Sequence, residues 1–295
     1  MTSSVEQAQR ILQRAGLRGS ILVRDLGSGQ QVALNPGHPF PLISLVKVPL
    51  AATILSEAAA GAVDLRAQIT IDDANRSPGG PGLARFLHPA SVSVRDLITL
   101  SIEVSDNSAA DAIFELVSPE QVTRWLQGHG IRDVIVRHPV SDLYHSLARH
   151  VNREDEATVA ALVVAAHAAG HPSPLPQLDL DQANTGTATG VADLLALLWG
   201  EELPDEVAQP VRYAMNGNLL RHRLTPDFVS ETSKWSSKTG TFIHLRHEAG
   251  VVEHRNGATL AVVALTASDF PAREQPLAEQ AIGRAARLLH DDLTW

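Results

Sequence analysis

Segments typical of β-strands lie near both ends of this chain, and a long helical region rich in Ala and Leu, from about Leu42 to Leu220, separates them. Helical patterns at residues 5–15 and 272–290 lie outside the strand-like segments. Those segments cover residues 20–26, 30–34, 234–242, 246–254 and 258–266. Strands from both ends bury their apolar faces by pairing with one another. This order therefore predicts an α/β (α+β) fold: one antiparallel five-stranded sheet, flanked by the N- and C-terminal helices, with an inserted all-α domain.

Turn signals and the position of the helical region divide the chain further. Gly27-Ser28-Gly29 separates the first two strands, and Asn256-Gly257 between the last two favours a type I′ turn, which needs positive φ at both central residues. We expect an α/β lobe of residues 1–40 plus 228–295 and an inserted α-helical lobe of residues 41–227. Functional sites often form where two such lobes meet.

The composition is that of an ordinary globular protein and excludes several classes of partner. The chain has 295 residues, a formal net charge of −9 and no cysteine. The acidic balance disfavours nucleic acid and anionic membranes, and no apolar stretch approaches the length of a membrane span. The first sixteen residues (MTSSVEQAQRILQRAG) form an amphipathic pattern without the features of a signal peptide. The chain as written is therefore expected to be cytoplasmic, unless an export signal has been removed from its start.

Ser44 and Lys47 are three residues apart, so on a helix their side chains share one face. A serine hydroxyl becomes a good nucleophile when a neighbouring base takes its proton, and a lysine serves when burial or nearby cations lower its pKa. A helix amino terminus also directs N–H groups toward a developing oxyanion. Pro49 is tolerated only in a first turn, so we expect the helix to begin close to Ser44 or to kink there.

Ser105-Asp106-Asn107 lies between two apolar helical segments. Ser105 can relay a proton to a leaving amine, and Lys238 further along the chain can offer it positive charge. Asn107 can hold both Lys47 and a substrate amide. Asp106 is expected to point inward to backbone N–H groups as a structural residue.

Lys238-Thr239-Gly240 lies in a β-type run, where an edge strand with a glycine allows a substrate backbone to approach closely. Lys238 is a candidate cation for a substrate carboxylate, and Thr239 can donate its hydroxyl. The backbone N–H groups of Thr241 and Ser44 could together form an oxyanion hole.

The three strings in this order resemble the signature of the penicillin-recognising serine hydrolases, and the chain is most similar to the class A β-lactamase branch. Gly79-Gly80-Pro81-Gly82-Leu83 before Val94-Arg95-Asp96-Leu97 resembles the segment that leads into that family's S-D-N helix. Thr185 to Leu198 resembles the helix start after its Ω-loop. The likeness covers most of residues 18–135 and 184–290.

The resemblance implies an acyl-serine reaction on a small-molecule substrate, a β-lactam or a related amide or ester, without a metal or other cofactor. Ser44 would attack the carbonyl with help from Lys47, and Ser105 would protonate the departing nitrogen. Lys238 with Thr239 would hold the substrate carboxylate.

The segment between S-D-N and K-T-G departs from the family. Class A β-lactamases carry E-x-x-L-N in the Ω-loop, and its glutamate activates the deacylating water, but this chain has no E-x-x-L-N. The segment is also longer than the family pattern leads us to expect. The extra residues are placed in an enlarged Ω-loop region, 138–183, with a helix at 154–169, which could form a modified Ω-loop, a lid or a dimer contact. Candidate water-activating carboxylates are Asp142, Glu154, Asp155, Glu156, Asp179 and Asp181.

Other polar residues give weaker signals. Arg246, on the strand after K-T-G, is a candidate second contact for the substrate carboxylate, and a structural pairing with Glu248 is an equal alternative. The chain has 13 histidines but no H-E-x-x-H or comparable spacing. We interpret those nearest the motifs as surface or supporting residues rather than metal ligands: His138, His145, His150, His244 and His247.

Three functions follow from these observations. The first is a hydrolase that turns over β-lactams or related acyl compounds. The second is a DD-peptidase-like acyltransferase that releases penicillin slowly, although its peptidoglycan substrates lie outside the cytoplasm. The third is a sensor that is acylated once, because without a water-activating base deacylation would be slow, as in penicillin-binding proteins.

Overall fold

The computed structural model describes residues 3–151, 155–271 and 275–294. Its strands are β1 Leu17–Asp25, β2 Gln31–Leu34, β3 Phe40–Pro41, β4 Gln68–Ile71, β5 Ala90–Ser93, β6 Val134–Ile135, β7 Thr185–Gly186, β8 Ser233–Phe242, β9 Leu245–His254 and β10 Thr259–Ser268. Its helices are α1 Ser4–Arg14, α2 Lys47–Ala59, α3 Val94–Glu103, α4 Asn107–Phe114, α5 Pro119–Gly128, α6 Val140–Val151, α7 Glu156–Ala169, α8 Ala188–Trp199, α9 Asp205–Asn216, α10 Thr225–Phe228 and α11 Pro276–Thr294.

The main sheet has five antiparallel strands in the order β2-β1-β10-β9-β8. β1 pairs with β10 from Leu17 opposite Ser268 to Asp25 opposite Leu260, so the two ends of the chain meet in the middle of the sheet. β8, which carries Lys238-Thr239-Gly240, is an edge strand. The predicted fold class is confirmed: one antiparallel sheet from both ends, with most of the helices between β2 and β8.

Both faces of this sheet are buried because successive strand residues alternate between two cores. Val263 and Leu265 of β10 pack in the larger core with the helical region. Val262 and Ala264 of the same strand pack in a second core with α1 and α11. This is why the central strands read as continuous apolar runs rather than as alternating polar and apolar residues. The limits proposed above for the two lobes remain a prediction.

The last hairpin forms where Asn256-Gly257 predicts it, but its turn is not of type I′. Gly257 has φ +92°, whereas the φ of Asn256 is not positive. The strands end earlier than a two-residue loop requires, and the His254 N–H donates to the Ala258 carbonyl at 2.8 Å. That pairing leaves a three-residue loop, which needs the left-handed conformation only at its last residue, Gly257, and this explains the difference.

Residues 138–183 form α6, α7 and a 3-10 turn at Pro176–Leu178. α7 begins at Glu156, and the Asp155 carboxylate caps it by accepting from the Thr158 N–H at 3.0 Å. The predicted first residue of that helix, Glu154, lies outside the described residues. Within the described ranges, no helix is long and apolar enough to cross a membrane.

Candidate active site

Ser44 lies in a 3-10 turn, Ile43–Val46, that continues directly into α2. Pro49 is the third residue of α2, so its missing N–H lies in the first turn and breaks no helical hydrogen bond. The expectation that the helix begins close to Ser44 is confirmed. Ile43 has φ +52°, an unfavourable backbone conformation for a β-branched residue. The fold therefore holds the Ser44 turn in a conformation that local sequence would not select.

Two residues of the sheet hold the Ser44 turn against β8. A Cβ added to Gly240 would lie 2.8 Å from the Leu42 carbonyl oxygen, so only glycine allows β8 to approach this closely. His247, fully buried on β9, accepts the Thr266 N–H at Nδ1 (3.1 Å). Its Nε2 must therefore carry the hydrogen, which it donates to the Pro41 carbonyl at 2.8 Å. Burial lowers the pKa of His247 to about 3, so the ring stays neutral.

The Lys47 side chain is fully buried and reaches the S-D-N loop. Its Nζ donates to the Ser105 carbonyl at 2.7 Å, to Asn107 Oδ1 at 2.8 Å and to Ser105 Oγ at 3.3 Å. Burial lowers the pKa of Lys47 to about 7, although the nearby charges of Asp111 and Asp106 raise it. Lys47 can therefore be a neutral amine near neutral pH, as a general base for Ser44 requires.

Lys238 meets the same serine from the opposite wall of the cleft. Its Nζ donates to Ser105 Oγ at 2.9 Å and to the Thr239 carbonyl at 2.9 Å. Burial, and then the charge of Lys47, lower the pKa of Lys238 well below its ordinary value. The fold thus brings Lys47, Ser105, Asn107 and Lys238 into one hydrogen-bonded cluster, and Lys47 follows Ser44 by three residues.

The S-D-N loop keeps its shape through Asp106. Its carboxylate caps α4 by accepting from the Ala109 N–H at 3.0 Å, and it also accepts from the Leu83 N–H at 2.7 Å. A Cβ on Gly82 would lie 2.2 Å from that carboxylate, which explains a glycine at this position. The structural role predicted for Asp106 is confirmed. Ser105 itself has φ +57°, a left-handed conformation that turns the chain between α3 and α4.

Asp111 is a residue near the cluster that sequence reasoning missed. Its carboxylate accepts from Ser77 Oγ at 2.5 Å and from the backbone N–H groups of Val140 (2.7 Å) and Ser141 (3.0 Å). Burial raises the pKa of Asp111, while these hydrogen bonds and the charge of Lys47 oppose the change. Asp111 lies four residues after Asn107 on α4, and that spacing could have indicated a shared helix face.

The predicted water-activating carboxylates that the structure describes lie at the starts of α6 and α7 and in the segment between α7 and β7. Asp142 is in the first turn of α6, and Asp155 and Glu156 are exposed at the start of α7. Asp179 accepts from the Ser173 N–H at 2.6 Å, and Asp181 is exposed. The carboxylates whose charges act on Lys47 are Asp111 and Asp106, and the oxygens of Asp111 already hold the start of α6.

In the structure Arg246 pairs with residues other than Glu248, whereas its contact with a substrate carboxylate stays a prediction. Its side chain is fully buried, Nη1 donates to the carbonyls of Ile243 (2.8 Å) and Leu245 (2.9 Å), and Nε lies 3.7 Å from Glu279 Oε1. The alternative Arg246–Glu248 pairing is wrong, because Glu248 instead accepts from the backbone N–H of Arg223 at 3.0 Å and from other neighbours.

Arg223, which precedes α10, is a second residue missed from sequence. Its Nη2 donates to Thr241 Oγ1 at 2.8 Å and to Glu279 Oε1 at 3.2 Å, and its Nη1 donates to the His247 carbonyl at 2.8 Å. Arg223 therefore places buried positive charge beside Thr241, the exposed residue near the end of β8. No motif marks it, because it approaches β8 from a different part of the chain.

The histidines do not form a metal centre in the part of the chain that the structure describes, where no group of three or more His, Cys, Asp or Glu side chains could hold an ion. His145 is exposed, and one ring nitrogen of His150 contacts the Ser146 carbonyl at 2.9 Å. His138 contacts the Pro139 carbonyl at 2.7 Å. His244 and His247 are buried, so of the two interpretations only that of supporting residues is open to them, and His247 supports the Ser44 turn through Pro41.

Comparisons with known proteins agree with this fold. Residues 3–293 match the beta-lactamase enzyme family. The beta-lactamase regulatory protein BlaB of Streptomyces cacaoi is 43% identical over 99% of this chain and 97% of its own length. A beta-lactamase from Sphaerobacter thermophilus has the same fold, with a TM-score of 0.78 and 21% identity over 99% of this chain and 97% of that one. A mutant of PBP-A, solved as an acyl-enzyme complex with penicillin G, gives a TM-score of 0.75 and 18% identity over 99% and 96% of the two chains.

Proposed function

Because the chain belongs to the beta-lactamase enzyme family, we propose that it opens a β-lactam on Ser44 and releases the resulting acyl group slowly. The observation that carries this proposal is the position of Ser105. Its hydroxyl accepts hydrogen bonds from both Lys238 (2.9 Å) and Lys47 (3.3 Å), and Lys47 follows Ser44 by three residues. The geometry supports acylation more strongly than it supports hydrolysis.

Acylation would follow a closed path for the proton. The neutral amine of Lys47 takes the proton of Ser44 as Ser44 Oγ bonds to the β-lactam carbonyl carbon. The ring C–N bond breaks, and the nitrogen takes the proton of the Ser105 hydroxyl. Lys47 returns a proton to Ser105 through their hydrogen bond, so the cluster ends as it began. We assign the oxyanion to the backbone N–H groups of Ser44 and Thr241.

The substrate carboxylate is proposed to lie beside Lys238 and Thr239 on β8, which offer it a cation and a hydroxyl. Gly240 lets this part of β8 lie close to the Ser44 turn. Arg223 supports this part of β8 electrostatically through its bond to Thr241 Oγ1. The Arg246 guanidinium is buried beside Glu279. Arg246 would therefore add positive charge to this region without contacting solvent.

Slow release is supported by the sequence at the start of α6. The sequence Val140-Ser141-Asp142-Leu143-Tyr144 keeps the leucine and the spacing of E-x-x-L-N, but it has valine in place of the glutamate and tyrosine in place of the asparagine. Asp111 binds the backbone of this segment. A general base contributes about 10²–10⁴-fold to such a step. The acyl-serine would therefore persist, and similarity to a protein named as a regulator of beta-lactamase supports a sensing role.

A chromogenic cephalosporin followed by intact mass spectrometry tests the proposal. A stoichiometric burst of colour and a lasting adduct on Ser44 are expected, and Ser44→Ala should show neither. Ser101→Ala is a matched control, because that buried hydroxyl bonds only within its own helix, to the Ile98 carbonyl. Steady turnover without a lasting adduct would instead favour the hydrolase that the motifs imply. If neither colour nor an adduct appears, that result contradicts a β-lactam substrate.

A further inference from the structure

Tyr144 of α6 packs between the helical region and β8. On the helical side, its ring lies against Gly79, whose carbonyl accepts from Asn107 Nδ2 at 3.2 Å. On the sheet side, its ring packs edge-to-face against Phe242, with centroids 5.4 Å apart. Phe242 directly follows Thr241 on β8, and Asn107 holds Lys47 at 2.8 Å. The ring therefore contacts the neighbour of Thr241 on one side and, on the other, Gly79, which Asn107 links to Lys47.

The surrounding backbone is shaped to receive this ring. A Cβ on Gly79 would lie 2.5 Å from Tyr144 Cε1, so the ring rests directly on the Gly79 backbone. Gly79 has φ +77°, which a side chain would disfavour as well. Asp111 fixes the start of α6 through the N–H groups of Val140 and Ser141. Tyr144 is therefore held in place from three directions.

From these contacts we infer that Tyr144 is a positioning residue that keeps the hydrolytic water away from the acyl-serine. This inference rests on the proposed function. A water that attacks an acyl carbon needs space and about two to four polar partners. The aromatic ring takes up the space beside Asn107, and Val140 on the same segment adds no polar group. The phenol cannot replace the missing base, because burial raises its pKa and it stays protonated.

The lifetime of the Ser44 adduct after a cephalosporin pulse, followed by intact mass, tests the inference. Tyr144→Ala should shorten that lifetime by about tenfold or more, because it opens the site to water. Tyr144→Phe keeps the ring and should remain within about twofold of the unchanged protein. Tyr213→Ala is the matched control, since Tyr213 is the other of the two tyrosines and is 74% exposed on α9. If Tyr144→Ala does not fold, Tyr144→Asn takes its place.

Hydroxylamine distinguishes access of a nucleophile to the acyl carbon from general loosening of the fold. It attacks the acyl carbon, forms a hydroxamate and returns Ser44 Oγ to its hydroxyl form. Added hydroxylamine should speed release in Tyr144→Ala and leave Tyr144→Phe unchanged, with similar acylation rates in both.

The outcomes distinguish the two proposals. Equal adduct lifetimes in Tyr144→Ala and the unchanged protein overturn the role of Tyr144 and leave the proposed function standing. An adduct that forms only in Tyr144→Ala also overturns it, because the ring would then exclude the β-lactam. No adduct in any variant overturns both.

Discussion

Lys238 Nζ donates a 2.9 Å hydrogen bond to Ser105 Oγ across the cleft between the sheet and the helical region. Lys47 donates to the same oxygen at 3.3 Å, so the lone pairs of the Ser105 hydroxyl are both engaged. Its hydrogen is therefore free to point toward a third partner. A leaving nitrogen beside Ser105 could take the hydrogen of this hydroxyl, and Lys47 would then return a proton to Ser105.

The rate of Ser44 acylation is expected to rise with pH through about 7 and then to level off. Burial lowers the pKa of Lys47 to about 7, and the amine takes the Ser44 proton only in its neutral form. Below that value, each unit of pH should slow acylation about tenfold. The burst phase with a chromogenic cephalosporin, measured between about pH 5 and 9, gives the profile. A rate independent of pH across this range would contradict Lys47 as the base.

Asp111→Asn should shift the midpoint of that profile to lower pH. The carboxylate of Asp111 raises the pKa of Lys47, so removal of its charge lowers that pKa further. Asp96→Asn is the matched control, because the Asp96 carboxylate bonds to Ser93 at the exposed start of α3. An unmoved midpoint in Asp111→Asn would mean that Asp111 carries no charge near Lys47.

Gly240→Ala should damage acylation as well as stability. The added Cβ would lie 2.8 Å from the Leu42 carbonyl oxygen and 3.3 Å from His247 Cδ2, so β8 must move away from the Ser44 turn. We expect a loss of about 1–3 kcal/mol in the free energy of unfolding. Acylation should slow by about tenfold or more, because small misplacements of reacting groups are costly. Gly37→Ala, where the Cβ meets no atom within 4 Å, should change neither the urea midpoint nor the burst rate.

Glu279→Gln should destabilise the fold at neutral pH by about 2–4 kcal/mol, because it leaves buried guanidinium groups without their counter-charge. Arg223 Nη2 and Arg246 Nε lie 3.2 and 3.7 Å from Glu279 Oε1. Burial raises the pKa of Glu279, but a hydrogen bond from His222 and the charge of Arg223 outweigh it, and the pKa lies below its usual range.

The sign of this effect fixes its pH dependence. A carboxylate with a lowered folded-state pKa stabilises the protein above its unfolded value of about 4.3 and loses that contribution as the pH falls through the folded value. The difference between Glu279→Gln and the unchanged protein should therefore be largest at neutral pH and shrink in acid. Glu253→Gln removes a more exposed pairing with Lys234 (3.4 Å) and should cost at most about 1 kcal/mol. Equal destabilisation by both variants would contradict the buried cluster.

Sequence by itself determined the fold class, with strands from both ends of the chain and a helical insertion between them, and it supplied the candidate acylating residues. Hydrophobic periodicity reports local structure, and β-strands at the two ends of a chain must pair with each other to be buried. The Ser44, Ser105 and Lys238 strings are short and local, so they could be identified without knowing how the chain folds. The absence of E-x-x-L-N was visible in the same way.

Only the tertiary structure decided what surrounds those residues. Arg223 reaches Thr241, and Tyr144 reaches Phe242, through contacts between elements far apart in the chain. The turn type at Asn256-Gly257 and the left-handed backbone of Ser105 also differ from what local preference favours. Such features depend on which elements pack together, and packing can override local propensity by a few kcal/mol. The candidate acylating groups are thus marked in the sequence, whereas the surroundings that we propose to control the lifetime of an acyl group on Ser44 are set by the fold.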